Sequence, residues 1–311
     1  MYSNIARGSI GNYDYSGAVL LSDGRVLFVP HVASNVGLYS PKLNQFTAVS
    51  ALGIPASSNK FWGGVLLPTG NVVFVPYTSS NIGMFNPLSL AYSNIISMGG
   101  GFIGGVLAPD GNVVFVPGTS GNVGLFNPSS LTYSNIGPIK GSGTFAGGVL
   151  TPAGNVIFAP GTSANVGVFS PTLQTFSNVG PFNALGFAGG VLAPNGNVIF
   201  VPGFSTNVGV FNPTLQTFTN IASISGFSGG VLLPSGNIIF APDYASNIGM
   251  FDPVALTFSN SAPAAGFSGA SLVPDGRVVF APYSGAANVG VLQTFTPASV
   301  QLCLSPYFNK F

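Results

Sequence analysis

The stretch from Gly189 to Ile221, GGVLAPNGNVIFVPGFSTNVGVFNPTLQTFTNI, recurs with variations along nearly the whole chain. It divides into four short runs, here called a to d: GGVLAP, NVIFVP, NVGVFNP and TFTNI. Each is rich in Val, Ile or Phe and is closed by Gly, Pro or Asn, which predicts strands of a small antiparallel sheet. The turn glycines between a and b stand at Gly24, Gly70, Gly111, Gly154, Gly196, Gly236 and Gly276. Their spacings are 46, 41, 43, 42, 40 and 40 residues. Seven copies of a four-strand unit at a period of about forty residues predict a β-propeller. The expected fold is therefore all-β: a single seven-bladed propeller of four-stranded antiparallel blades.

The ends of the chain predict how the ring closes. Tyr2 to Ile5, YSNI, repeats the strand d sequence seen at Tyr92 to Ile95 and Tyr133 to Ile136, yet no blade precedes it. The seventh unit, PYSGAANVGVLQTFT, lacks the FNPT turn found at Phe211 to Thr214 and so has no local strand d. The N-terminal strand is expected to complete blade 7, removing two exposed sheet edges. The expected division is a propeller over 1–296 and a tail over 297–311.

The connections carry turn chemistry in every unit. Between a and b lie SDGR, PTGN, PDGN, PAGN, PNGN, PSGN and PDGR, whose Gly supplies the positive φ of a hairpin turn. Strand b ends in Pro30, Pro76, Pro117, Pro160, Pro202, Pro242 and Pro282, where the missing N–H stops the ladder. Asn35, Asn81, Asn122, Asn165, Asn207, Asn247 and Asn288 open strand c. A ring of seven such Asn could form ligands; the plainer reading is that each bonds its own loop backbone. Ser, Asn or Asp before Pro41, Pro87, Pro128, Pro171, Pro213 and Pro253 marks the turn into strand d.

Composition narrows the function classes. Mean hydropathy is +0.52 and 46% of residues are hydrophobic, but Gly and Pro interrupt every run before the roughly 18 apolar residues of a spanning helix. Membrane insertion is not expected. Only 4% of residues are charged, seven Lys or Arg against six Asp and no Glu. No basic stripe is present for nucleic acid. Such a neutral surface lacks the repulsion that keeps free proteins apart, which fits a chain packed against neighbours or working in a glycan-rich exterior. Cys303 is the single cysteine, so no intrachain disulfide forms. The opening MYSNIARGSI lacks the charged and apolar regions of a secretory signal.

Ser16 to Pro30, SGAVLLSDGRVLFVP, and Gly269 to Pro282, GASLVPDGRVVFAP, resemble the first half of the kelch and galactose-oxidase-like propeller repeat. Asn35 to Thr47, NVGLYSPKLNQFT, and Asn247 to Phe258, NIGMFDPVALTF, are similar to its second half. The resemblance runs to about Thr296 and implies the propeller fold. The chain departs from the family where Val-Pro or Ala-Pro replaces the di-glycine and Phe or Tyr replaces the Trp. The family's copper ligands and cysteinyl-tyrosine have no counterpart with one His and one Cys. Similar Gly-Gly-Val-Leu repeats occur in viral and marine microbial proteins.

No motif for catalysis stands out. Asp23, Asp110 and Asp275 sit in a–b turns, His31 is the sole histidine, and metal-ligating clusters are missing from the sequence pattern. Neither cofactor nor metal is expected, and the chain reads as a non-enzyme. Function then falls to the rim formed by the b–c and d–a loops, because these vary while the other rim repeats. The longest d–a loops, Ala6 to Ser16 and Ser50 to Trp62, carry Arg7, Tyr13, Asp14, Tyr15, Lys60 and the only tryptophan. With His31, Tyr77 and Tyr283 from the b–c loops, the candidate binding set is Tyr13, Asp14, Tyr15, His31, Lys60, Trp62, Tyr77 and Tyr283. Aromatic rings with a few polar groups suit sugar stacking or a protein hot spot; the alternative is that Trp62 and Tyr15 pack beneath long loops. The tail residues Val300, Leu302, Leu304, Tyr307, Phe308 and Phe311 are expected to be ordered, across the propeller or against a neighbour. The first expected role is a structural or attachment component of a virus or phage particle, made in the host cytoplasm and partnered by structural proteins or copies of itself. The second is a lectin-like, extracellular glycan-binding module, and the third a galactose-oxidase-like enzyme.

Overall fold

The computed structural model describes residues 1–6, 13–139 and 143–294, and these described residues form twenty-eight strands and no helix. They make seven separate four-stranded sheets. Blade 1 is built from Tyr15–Leu20, Val26–Pro30, Val36–Ser40 and Gln45–Val49 as strands a to d, and blades 2 to 6 repeat that order. Blade 7 takes a, b and c from Phe267–Leu272, Arg277–Pro282 and Asn288–Gln293, and d from Tyr2–Ala6. The N-terminal strand pairs antiparallel with strand c from Tyr2 opposite Leu292 to Ala6 opposite Asn288. The seven-bladed propeller and its closure by the N-terminus are thus as expected. The tail 297–311, with Cys303, lies outside the described residues.

Each blade has an aromatic face and an aliphatic face, because alternate strand residues point to opposite sides. Leu27, Val29, Val36 and Leu38 of blade 1 pack on Phe61, Phe74, Phe85 and Tyr92 of blade 2. The same interface recurs around the ring and ends with Val279 and Val291 of blade 7 on Tyr15, Phe28 and Tyr39 of blade 1. The core is therefore seven inter-blade layers, and every buried Phe adds about 2–3 kcal/mol of apolar burial. In blade 4 the rings of Phe169, Phe158 and Phe176 stack with centroids 6.3 and 6.0 Å apart. Gly167 of strand c makes room for them: a Cβ there would meet Phe158 and Phe176 at 3.0 Å.

The Gly-Gly pair of strand a has a second purpose. Strand a is bulged, so that Phe145 pairs with Pro160 but Gly148 with Phe158. The bulge holds Gly147 at φ 81 and brings it against its counterpart in the next blade. From Gly17 through Gly63, Gly104, Gly147, Gly189, Gly229 and Gly269 back to Gly17, a Cβ on each would lie 2.9–4.0 Å from the next glycine's Cα. A collar of backbone therefore narrows the axis. The collar closes on itself, as the sevenfold ring of sheets requires.

The two rims are held by different bonds. On the a–b and c–d rim, Arg25 is paired with Asp23 and donates to the Pro87 carbonyl of blade 2 at 2.9 Å. Arg277, paired with Asp275, reaches the Pro41 carbonyl of blade 1 at 2.7 Å. On the opposite rim, backbone N–H groups just ahead of strand a donate to the preceding blade's b–c loop, as Lys60 to His31 at 3.0 Å and Gly226 to Gly203 at 2.8 Å.

At the entrance of strand c a serine hydroxyl closes the loop around Asn81, Asn165 and Asn207. Ser79, Ser163 and Ser205, two residues earlier, bond both the N–H and the carbonyl of Asn81, Asn165 and Asn207. The Asn81, Asn207 and Asn247 amides turn to the preceding hydroxyl instead. A hydroxyl can donate and accept at once, so one Ser satisfies both backbone groups.

Candidate functional site on the variable rim

The residue that follows the strand b proline is the first of each b–c loop. Around the ring from blade 1 it reads His31, Tyr77, Gly118, Gly161, Gly203, Asp243 and Tyr283. Blades 3 to 5 are bare at this position, whereas blades 6, 7, 1 and 2 carry side chains. At the second residue of strand a, Trp62 stands alone where the other blades have Ser16, Ile103, Ala146, Ala188, Ser228 and Ser268. A repeating scaffold has been made asymmetric, and one side of the rim gathers aromatic and polar groups.

Trp62, half-buried, is the hub. Its ring lies 4.9 Å from His31, 5.4 Å from Tyr77 and 6.0 Å from Tyr283, each edge-to-face. Tyr283 also meets Tyr13 edge-on at 5.0 Å and His31 at 5.6 Å. Such T-shaped pairs add about 0.5–1.5 kcal/mol beyond burial. Tyr13 is 40% exposed and holds φ 64, and its phenol shares a hydrogen bond with that of Tyr244.

Asp243 supplies the carboxylate. Burial raises its pKa above the usual carboxylate value, partly offset by a hydrogen bond from the Ser284 hydroxyl. Its charge is the main cause of the raised pKa of Tyr244, while burial first and Asp243 second push Tyr283 up. These two phenols stay protonated in ordinary buffers, so they offer neutral hydroxyls around one acidic group. Among the described residues no three His, Cys, Asp or Glu side chains come together.

Several residues expected to bind are committed to structure. Tyr15 is 3% exposed: its ring begins the aromatic stack of blade 1 against Phe28 and Phe46, and its hydroxyl bonds Asn35. It belongs to the core and not to the rim surface. Lys60 is wholly enclosed; its ammonium donates to the carbonyls of His31, Val32 and Ala33 at 3.2, 3.0 and 3.1 Å. All three N–H donors are spent stapling blade 2 to the loop of blade 1. Burial lowers its pKa, and the nearby Asp14 carboxylate works the other way. Asp14 is itself buried, and its carbonyl accepts from His31, Val32 and Ala33. His31 is 1% exposed and its Nδ1–H donates to the Phe61 carbonyl at 2.8 Å. Burial, foremost, holds its pKa below 6.5. Tyr13, Trp62, Tyr77 and Tyr283 are in ring contact with one another through Trp62 and Tyr283, and Arg7 lies outside the described residues. Asp243, Tyr244 and the 85% exposed Phe204 escaped sequence reasoning; aligning the residues after each strand b proline is the signal that finds them.

No protein-family model matches the sequence, and neither does any curated protein. Among solved structures, virginiamycin B lyase from Staphylococcus aureus is 15% identical, with a TM-score of 0.79 over 95% of this chain and 99% of that one. A catalytically inactive His-to-Ala variant of that lyase with quinupristin aligns similarly, at 14% identity and TM-score 0.79. Kuenenia stuttgartiensis hydrazine synthase is 14% identical over 93% of this chain and 98% of that chain, with a TM-score of 0.73. The extracellular domain of a hybrid two component system of B. thetaiotaomicron is 8% identical, with a TM-score of 0.74 over 95% of this chain and 40% of that one. These likenesses share the propeller fold across unrelated functions. They are not kelch proteins, so the kelch resemblance rests on the repeat residues alone.

Proposed function

We propose that this propeller is a carbohydrate-binding module whose site is the aromatic side of the variable rim. The observation that carries this reading is the asymmetry: at the first b–c loop position blades 6, 7, 1 and 2 carry Asp243, Tyr283, His31 and Tyr77 where blades 3 to 5 have glycine, and strand a of blade 2 adds Trp62 beside them. Ring faces suit the C–H faces of a sugar, and phenols with one carboxylate suit its hydroxyls. The one cation among the described residues of this side, Lys60, is enclosed and fully bonded, which disfavours an anionic ligand. Assembly into a virus particle, the other role expected from composition, draws on the neutral surface and gains no residue from the rim. In this reading the site holds its ligand without turning it over. The kelch-like repeat residues bear on the ancestry of the scaffold, not on the site.

The test is a glycan array followed by titration of the best neutral glycan. Trp62→Ala is expected to weaken binding about 5- to 150-fold, the effect of removing a central aromatic anchor. Because Trp62 also packs on His31 and Tyr77, Tyr13→Phe, which removes one exposed hydroxyl, is measured beside it along with both melting temperatures. Absence of binding to any glycan overturns the proposal, and chemical conversion of the bound glycan overturns its non-catalytic part.

A further inference from the structure

Resting on that reading, we infer that the ligand is an extended neutral oligosaccharide, and that Phe204 with Tyr244 forms an outlying subsite for rings beyond the central one. Phe204 and Tyr244 are the second residues of the b–c loops of blades 5 and 6, where blades 2 to 4 carry Thr78, Thr119 and Thr162. They are 85% and 64% exposed, and their rings lie 6.3 Å apart at an interplanar angle of 33°. Neither ring supports the fold at that exposure, and a pair of bare aromatic rings on an otherwise polar surface marks a contact site.

The pair is continuous with the central site. Tyr244 is hydrogen-bonded to Tyr13, Tyr13 packs on Tyr283, and Tyr283 packs on Trp62. Two aromatic groups, Phe204 with Tyr244 and Tyr13 with Tyr283 and Trp62, are therefore joined through the Tyr244–Tyr13 hydrogen bond into one arc over blades 5, 6, 7, 1 and 2. Exposure rises outward along it, from Tyr283 at 8% through Tyr13 at 40% to Phe204. One sugar ring reaches one or two of these side chains, whereas a chain of rings can follow the arc. The lack of a free cation among the arc's described residues disfavours an anionic occupant, and its carboxylate and phenols suit the hydroxyls of a neutral sugar.

Binding of two-ring and six-ring oligomers of glucose, mannose and N-acetylglucosamine is titrated against the wild type and against Phe204→Ala with Tyr244→Ala. For the sugar that binds, the six-ring oligomer is expected to bind about tenfold or more tightly than the two-ring one, the scale of one added stacking contact. The double variant should lose that gain and keep its melting temperature, and Phe204→Ala alone, titrated beside it with the Tyr244 hydroxyl intact, should weaken six-ring binding and keep two-ring binding. Equal affinity for both lengths, or a length gain that survives the double variant, overturns the outlying subsite and leaves the central reading standing. Failure of every oligomer to bind wild type overturns both. A wild-type dimer that the double variant converts to monomer makes the pair a protein contact and also overturns the inference.

Discussion

At the scale of single residues, glycines with the same backbone angle do different work. Gly147 and Gly154 both hold positive φ, 81 and 84. A Cβ on Gly154 meets nothing within 4 Å, whereas one on Gly147 comes within 3.0 Å of the Gly189 Cα. Gly154→Ala is expected to cost about 1 kcal/mol, the left-handed penalty less a small entropic gain. Gly147→Ala adds a backbone collision between blades and is expected to cost about 2–5 kcal/mol in all. Equal losses in urea unfolding would refute the collar as a close contact. His31 makes a second prediction. Its folded pKa lies below 6.5 because burial opposes the charged form, so the unfolded chain binds the proton first as pH falls. Stability should be flat between pH 8 and 7 and fall as pH drops below about 6.5. Asp23 and Asp275, lowered by their arginines, lose stability only as pH falls below 3.8, and Asp243, raised, shifts in the opposite sense. Thermal melts from pH 8 to 5 should show the slope in wild type and not in His31→Gln; a flat wild-type profile would rule out the assignment.

At the scale of strands and loops, the period-two alternation and the turn chemistry were readable because they are local. VLFVP and its copies announce a strand buried on both faces, and Asp-Gly or Asn-Gly announces the turn beside it. The bulge in strand a was not readable. The first Gly of each pair serves the axis and the second the next interface, as where a Cβ on Gly148 would meet Val116 at 2.9 Å; both demands come from neighbouring blades. Lys60 misled for a similar reason. A lysine in a long loop reads as exposed, yet here three carbonyls of another blade converge on it, and only tertiary structure places them. Asp243 and Tyr244 were missed because each is unremarked in its own loop and acquires meaning only beside Tyr13 and Tyr283. The staple is testable: Lys60→Met keeps the apolar stem but takes the ammonium from the Val32 and Ala33 carbonyls and leaves His31 only the Lys60 backbone N–H. It is expected to cost about 2–4 kcal/mol, and a variant as stable as wild type would show that the ammonium is dispensable.

At the scale of the whole molecule, the ring is only as strong as its closure. Tyr2 occupies in blade 7 the place that Phe46, Tyr92 and Phe176 hold in other blades: a Cβ on Gly290 would meet its hydroxyl at 3.0 Å, as one on Gly37 meets Phe46. Burial pushes the Tyr2 pKa up to about 12, in keeping with a phenol half inside the blade. Arg25 and Arg277 pin the turns of blades 2 and 1 on either side of blade 1, but such surface contacts add little alone. The main closure is the ladder from Tyr2 to Ala6. Deleting residues 1–6 removes that ladder and exposes the edge of Asn288–Gln293, with Val289 and Val291, both buried in the intact ring. At about 1 kcal/mol per net hydrogen bond plus the lost ring and aliphatic burial, the loss is about 5 kcal/mol or more. That is a large part of the 5–15 kcal/mol typical of a folded domain, and the freed edge is a template for aggregation. The truncated chain should melt lower and run as oligomers by light scattering, and a synthetic MYSNIA peptide in excess should restore part of both. A truncated chain that keeps the wild-type melting temperature and stays monodisperse would show that the ring holds without its N-terminal strand.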